Sequence, residues 1–226
     1  MTFHIITLFP EVIENYLHSS ILGRAEKKEI IKFNLINLRP FGLGKHKKVD
    51  EKPYGGGSGM VLMSEPILKA VDSIRKKLKK KTKVIVFSAK GKQFNQRMAY
   101  DWSKKYEDIV MISGRYEGID ERVKSILKAE EISIGHYILT DGDVAAMVVA
   151  SAVGRLVPGA IKLESLAEES HWNLLLKKEK EIPENDGLEY PHYTRPEILA
   201  YKGKKYRVPK VLLSGNHKEI KEWREQ

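Results

Sequence analysis

Four segments of the chain carry residue types, at spacings, that could hold a small ligand or an RNA. Ser113-Gly114-Arg115-Tyr116-Glu117-Gly118-Ile119-Asp120-Glu121-Arg122-Val123 directly follows an apolar run. Two glycines there bracket an arginine, a tyrosine and a glutamate at the carboxyl end of a strand, where open α/β sheets bind their ligands. A capped strand–helix turn with exposed charges is the plainer account, and the density of functional side chains favours a ligand site over it. Ser133-Ile134-Gly135-His136-Tyr137-Ile138-Leu139-Thr140-Asp141-Gly142-Asp143 leads straight into an apolar helix. A strand, a glycine-relieved loop and a helix N-terminus together offer backbone donors and acceptors around a small flat ligand. Gly55-Gly56-Gly57-Ser58-Gly59 matches neither the phosphate-binding P-loop nor the dinucleotide fingerprint. Its glycines either present N–H groups to an anion or form a flexible turn, and the turn is the commoner outcome. Glu189-Tyr190-Pro191-His192-Tyr193-Thr194-Arg195-Pro196-Glu197 is stiffened by two prolines. Its aromatics can stack on unpaired bases while arginine takes phosphate; the alternative is a rigid connector whose rings pack inward.

The elements that must position these segments alternate between strand-like and helix-like patterns. Phe3 to Leu8 reads as a strand, and Pro10-Glu11 opens a helix carrying Val12, Ile13, Tyr16, Leu17 and Ile21. Ile31 to Leu38 reads as a second strand. Ser64 is the expected cap of a further helix, with Pro66 in its first turn. Lys83 to Phe87 and Asp108 to Ser113 are short β-branched-rich runs separated by a helical stretch, Asn95 to Lys104. Such alternation predicts a mostly parallel sheet covered by helices. Asp143 to Arg155 predicts a strongly apolar helix, ended by Pro158-Gly159. The texture then changes. Residues 162–187 are charged and read as a linker between a large domain, 1–161, and a small basic segment, 188–226. That segment ends in a helix over Lys218 to Arg224, capped by Ser214 or Asn216.

Composition narrows the function classes. The chain has 226 residues, 42% hydrophobic and 31% charged, as in ordinary globular proteins. It has no cysteine, which excludes disulfides and thiolate-bound zinc. Forty Lys and Arg against thirty Asp and Glu leave a net charge of +10, which suits a polyanionic partner through counterion release. Solubility alone is the bland reading of that surplus, and the lysine run from Arg75 to Lys83 reads as the solvated end of a helix. Met1-Thr2-Phe3-His4-Ile5-Ile6 looks like a first strand and not like a signal peptide. The longest apolar-rich stretch, Val144 to Val153, is about half the ~20 residues that cross a bilayer. The expectation is a cytoplasmic protein with no membrane partner.

Taken in order, these segments resemble the bacterial tRNA (guanine-N1)-methyltransferases of the TrmD type, within the SPOUT superfamily. The shared run is the glycine-rich loop, Gly114-Arg115-Tyr116-Glu117-Gly118, Ser133-Ile134-Gly135-x-Tyr137-x-Leu139-Thr140, Arg155-x-x-Pro158-Gly159 and Pro191-His192-Tyr193-Thr194-Arg195-Pro196. The resemblance extends from Phe3 to about Trp223. Any one motif would be weak, whereas the ordered set at fitting spacing is specific.

The resemblance implies an α/β fold with a trefoil knot, a rare exception to the usual absence of knots, plus a small, mainly helical C-terminal domain that grips tRNA. It implies a homodimer with the active site at its interface. S-adenosylmethionine would bind at Phe87 and Ser88, at Gly114, Tyr116 and Glu117, and at Ser133, Ile134, Gly135, His136, Tyr137, Ile138, Leu139 and Gly142. The implied reaction methylates N1 of the guanosine immediately 3′ of the anticodon, generally with Mg²⁺. Arg155 falls on the family's arginine for the developing charge on O6, and Ser165 on the serine that helps hold the target. His192, Tyr193 and Arg195 would contact tRNA.

Several positions depart from the family's pattern. Glu169 stands where an aspartate usually serves as the base, one methylene longer in reach. His136 replaces an aspartate, Asp141 a glycine and Asp143 a glutamate, while Ala89-Lys90 stands where Pro-Gln is common. Loop contacts made by backbone tolerate such changes, although a positive φ at Asp141 would be strained. Asn173 to Asn185 is longer than is usual between the base and Pro-His-Tyr, and relatives often continue past the position of Gln226. A ribose 2′-O-methyltransferase of the same superfamily and a catalytically inactive tRNA-binding relative are the rival readings.

Overall fold

The computed structural model describes residues 1–162 and 190–224. The chain divides into two compact units, Met1–Ser165 and Leu166–Gln226. In the first unit the strands are β1 (Thr2–Thr7), β2 (Lys32–Asn37), β3 (Asp50–Glu51), β4 (Val61–Leu62), β5 (Thr82–Gln93), β6 (Asp108–Ile112) and β7 (Glu130–Ser133). Its helices are α1 (Pro10–Leu17), α2 (Ser20–Lys27), α3 (Ser64–Arg75), α4 (Gln96–Lys105), α5 (Glu121–Leu127) and α6 (Asp143–Gly154). Five strands form one sheet in the order β2-β1-β6-β5-β7, and every pairing is parallel. β3 and β4 make a separate short antiparallel ribbon.

Parallel strands need cover on both faces, and the burial follows that rule. All five residues of β6 are buried, as are all but the first of β1. Successive side chains point to opposite faces. Ile6, Ile36, Val86, Val110 and Ile112 join Ile67, Ala70, Val71 and Ile74 of α3 in one core. On the other side α6 packs against α1 and α4. α6 buries Ala145, Ala146, Val149, Ala150, Val153 and Gly154 and leaves Val144 and Val148 exposed. Small residues on its inner stripe let it approach closely, and each buried valine contributes roughly 1.5–3 kcal/mol.

The local signals have identifiable physical causes, some of them different from the expected ones. The expected helix from Pro10 to Ile21 is two helices, broken at His18-Ser19, and Ser20 enters α2 with φ 49°. The periodicity of Val12, Tyr16 and Ile21 ran across that break. Ser64 is the first residue of α3 and not its cap; Met63 holds the N-cap position without a side-chain bond. Asn95 does cap α4, its Oδ1 accepting from the Met98 N–H at 2.9 Å. Among the described residues no helix is long and apolar enough to cross a membrane.

In the second unit, β8 (Ile198–Tyr201) and β9 (Lys204–Arg207) form an antiparallel hairpin. Its two-residue loop, Lys202 at φ 48° and Gly203 at φ 73°, has the double positive φ of a tight hairpin turn. α7 (Lys210–Leu213) and α8 (His217–Arg224) follow. Asn216 Oδ1 accepts from the Lys218 N–H at 3.2 Å, capping α8. The hairpin tempers the expectation of a mainly helical segment. Both its strands are exposed, so they lack the apolar alternation by which strands are read. Ser165, Glu169 and the linker from residue 163 onward lie outside the described residues.

Candidate active site

The site grows from the carboxyl ends of β5, β6 and β7. β5 pairs with β7 through Ile85, Val86 and Phe87, loses register, and pairs again through Lys92 and Gln93. Ser88 to Gly91 therefore form a bulge inside one long strand, where a loop after a short strand was expected. Gly91 brings the chain back: a Cβ there would lie 2.6 Å from the Ile132 backbone nitrogen. Only a residue without a side chain closes that bulge.

Beyond β6, the turn 114–118 meets the loop 134–142 that follows β7. The Gly142 N–H donates to the Gly114 carbonyl at 2.8 Å, and Arg115 and Asp141 form an isolated backbone bridge. A Cβ on Gly142 would lie 2.8 Å from Gly114 N and 3.0 Å from Ser113 Cα. The segment after the glycine-rich loop braces the same turn from another side. Glu117 N–H donates to the Met60 carbonyl at 3.0 Å, and Leu62 N–H donates to that of Gly118 at 2.9 Å. Within the third loop, Ser133 Oγ donates to the Gly135 carbonyl at 2.9 Å and Tyr137 Oη to that of Ile134 at 3.2 Å.

These loops enclose a cleft of about 510 Å³, within the range of small-molecule sites. Phe87 and Ser88 line it, as do Gly114, Tyr116 and Glu117. So do Ser133, Ile134, Gly135, Tyr137, Ile138, Leu139 and Gly142. His136 is exposed and is not part of the lining. Tyr116 holds φ 59°, a left-handed conformation rare outside glycine. Asp141, by contrast, shows no positive φ. Its side chain has work of its own: Oδ1 accepts from the Asp143 N–H at 2.9 Å, and Oδ2 lies 3.2 Å from Arg115 Nη2. The strain foreseen for an aspartate at this position is absent.

Charge at the cleft wall was less legible. Lys124 pairs with Glu121 and, at 2.8 Å, with Glu131, and all three line the cleft with Lys90. The Lys124 ammonium holds the Glu121 carboxyl below the usual carboxylate range. Asp120 is lowered likewise by the Arg122 guanidinium, and it caps α5 by accepting from the Arg122 N–H at 2.9 Å. The Glu121–Lys124 spacing of three on a helix is a readable signal. The partner Glu131 on β7 is not, because it depends on tertiary placement.

Arg155 is half-buried just past the C-terminal end of α6, whose N-terminal end borders the cleft. Twelve residues of helix at 1.5 Å each separate it from Asp143 by roughly 18 Å. In the second unit, the Tyr190 and His192 rings stand 4.6 Å apart, and Arg224 stacks on Tyr190 at 4.5 Å. Tyr193 lies 6.3 Å from Trp223, and Arg195 joins Pro196 through a cis peptide. His192, Tyr193 and Arg195 are exposed. No three His, Asp or Glu side chains among the described residues converge to hold a metal ion.

The family model described as tRNA (Guanine-1)-methyltransferase TrmD matches residues 1–226, the whole chain. The chain belongs to that family. A relative from Carboxydothermus hydrogenoformans, named tRNA (guanine-N(1)-)-methyltransferase, is 48% identical over 226 residues, covering all of this chain and 82% of its own. One of the same name from Ruminiclostridium cellulolyticum is 45% identical over 227 residues, covering 100% and 90%. A third, from Caldanaerobacter subterraneus subsp. tengcongensis, is 48% identical, covering 100% and 86%. The α/β architecture observed here, a parallel sheet flanked by helices, agrees with that membership.

Proposed function

We propose that this chain transfers a methyl group from S-adenosylmethionine to N1 of the guanosine immediately 3′ of the anticodon in tRNA. One observation carries the reading: twelve of the thirteen residues expected to hold the cofactor line a single cleft of suitable size. Backbone-lined loops braced against one another suit a flat, bent ligand. The close approach of Gly142 to Gly114 supports a knotted path through these loops, because crossing strands of chain must touch there without side chains.

The cofactor supplies a methyl group already activated on a sulfonium, so alignment is the main task left to the protein. Guanine N1 becomes nucleophilic once its proton leaves. Glu169 would take that proton, leaving N1 free to accept the methyl group. General-base catalysis of this kind contributes typically 10²–10⁴-fold. Arg155 stabilises the negative charge that grows on O6.

The cleft lies at the N-terminal end of α6 and Arg155 follows its C-terminal end, which supports a homodimer in which each cleft is completed by the other copy's Arg155. Val12 and Tyr16 on α1, with Val144 and Val148 on α6, are exposed on two helices that pack together, an apolar surface a second copy would cover. Mg²⁺ would be held largely by substrate oxygens with one or two carboxylates, Glu117 among the candidates. The enzyme would act on tRNA in the cytoplasm.

Incubation with bulk tRNA and labelled S-adenosylmethionine, followed by mapping of the modified nucleotide by mass spectrometry, tests the reading. N1-methylguanosine beside the anticodon is expected. Methyl on a ribose O2′, or cofactor binding without turnover, would overturn it. Glu169→Gln should lower the rate by about 10²–10⁴-fold at unchanged cofactor affinity, and a wild-type rate would remove Glu169 as the base.

A further inference from the structure

At the carboxyl edge of the sheet, Asp141, Asp143 and Phe9 meet around the Arg115 guanidinium, with Thr7 at the end of β1 bonded to Asp143. Asp143 has no solvent exposure; its Oδ1 accepts from the Thr7 hydroxyl at 2.6 Å, and its Oδ2 lies 3.3 Å from Arg115 Nη2. Asp141 Oδ2 lies 3.2 Å from the same nitrogen. The Arg115 guanidinium rests on the Phe9 ring at 4.4 Å from its centroid. Thr7 Oγ1 also accepts from the Phe9 N–H at 3.1 Å. A carboxylate as deeply buried as Asp143 requires a charge partner, and Arg115 is that partner.

The cluster has a geometric consequence for the cleft. Arg115 lines one wall between Gly114 and Tyr116, and Asp141 lines the other beside Gly142, so the pair joins the two walls from within the cleft's own lining. The side-chain pair reinforces the Gly142–Gly114 hydrogen bond between the same two walls. Tyr116 persists at φ 59° where its surroundings over-determine the backbone. Two carboxylates on one guanidinium, one of them also accepting from the Asp143 N–H, exceed what neutralising Asp143 alone would need.

We propose that Arg115 is a positioning residue, locked by Asp141 and Asp143, that fixes the spacing of the turn 114–118 from the loop 134–142 and so preorganises the cleft for its cofactor. The proposal rests on reading the cleft as the S-adenosylmethionine site. Preorganisation acts through affinity, because a wall that must be ordered on binding reduces the net gain.

Asp141→Asn separates this role from a merely structural one. The amide oxygen can still accept from the Asp143 N–H, and Asp143 keeps Arg115, so the fold should persist with an unchanged Tm. What should change is the calorimetric Kd for S-adenosylmethionine, raised about tenfold, since a wall that must be ordered on binding lowers the net affinity. Arg115→Lys keeps the charge but loses the fork and the stacking, and should raise Kd at least as far. A wild-type Kd in Asp141→Asn, or a lower Tm with unchanged Kd in Arg115→Lys, would overturn the clamp. Hydrogen exchange on the wild-type protein distinguishes failure of the site itself. If S-adenosylmethionine binds without protecting residues 87–91, 114–118 and 134–142, the cleft reading fails and the clamp's role in binding fails with it.

Discussion

At the carboxyl edge of the sheet, the buried Asp143 ties the end of β1 and the start of α6 to the turn 114–118; at the amino edge, the buried His4 and Asp108 sit on neighbouring strands, β1 and β6. His4 is 5% exposed and Asp108 1% exposed, nearly as enclosed as Asp143. His4 lies directly across from Asn34 in the β1–β2 register, with Nδ1 3.0 Å from the Asn34 amide nitrogen. Asp108 accepts from the Lys79 N–H at 2.6 Å, and its other oxygen lies 3.6 Å from His4 Nε2. Strand register fixes this pair. The Arg115 cluster instead fixes loops that have no ladder to hold them, and those loops wall the cleft. Burial of polar groups alone thus marks stability at one edge and a site at the other. The discriminating feature is whether the buried group ties together chain segments that would otherwise be free.

The largest expected effect tests that contrast at its closest contact. Gly142→Ala places a Cβ 2.8 Å from the Gly114 backbone nitrogen and 3.0 Å from Ser113 Cα, and that backbone cannot yield as the end of a flexible side chain would. The two walls must part by a sizeable fraction of an ångström. Affinity for S-adenosylmethionine should fall up to about 100-fold, measured by calorimetry, since overpacking typically costs about 1–3 kcal/mol. His4→Gln, at the other edge, should leave the same Kd unchanged. Equal losses from both would erase the distinction between the edges.

What was legible in the sequence divides along the same line. The strands Thr2–Thr7 and Asp108–Ile112 were readable because burial on both faces demands continuous apolar runs. The glycines of the second and third loops were readable as a ligand site through strand ends and residue type. The bulge at Ser88–Gly91 was not, because its cause is the backbone of β7, met only after folding. The break between α1 and α2 was hidden because apolar spacing continued through it. Asp141 was misread for a related reason. Its expected strain assumed a glycine-like backbone, whereas the actual chain keeps φ out of the positive range and gives the carboxylate three partners, the Asp143 N–H, Arg115 and the Thr140 hydroxyl. Pairings that need tertiary contact, such as Arg115 with Asp143 across 28 residues, leave no local pattern to find.

Removing one hydroxyl from the loop cluster sharpens the comparison at a middle scale. Thr7 is 1% exposed, donates to Asp143 and accepts from Phe9 N–H. Thr7→Val is nearly isosteric but leaves a buried carboxylate oxygen and a backbone N–H short of a partner. The expected loss is about 1–3 kcal/mol of unfolding free energy, the penalty for unsatisfied buried polar groups. Urea denaturation at neutral pH measures it. A loss below a few tenths of a kcal/mol would mean that Arg115 alone satisfies Asp143.

The smallest effect belongs to the amino edge and is conditional on pH. Burial pushes the His4 imidazole below its ordinary value of 6.5, and the Asp108 carboxylate opposes that shift without cancelling it. Burial also lowers the nearby Met1 ammonium, with Lys79 acting in the same direction. For a histidine lowered in the folded state, the unfolded chain binds the proton more readily. Its contribution is therefore fully present above pH 6.5 and is lost as pH falls below that value. Between about pH 7.5 and about pH 5.5 the wild-type Tm should fall more than that of His4→Gln, which has no proton to take up there. The difference should be modest, because one partly compensated group supplies it. Parallel Tm profiles for the two proteins would mean that Asp108 offsets the burial of His4 in full, and the strand-held edge would then be electrostatically neutral to pH.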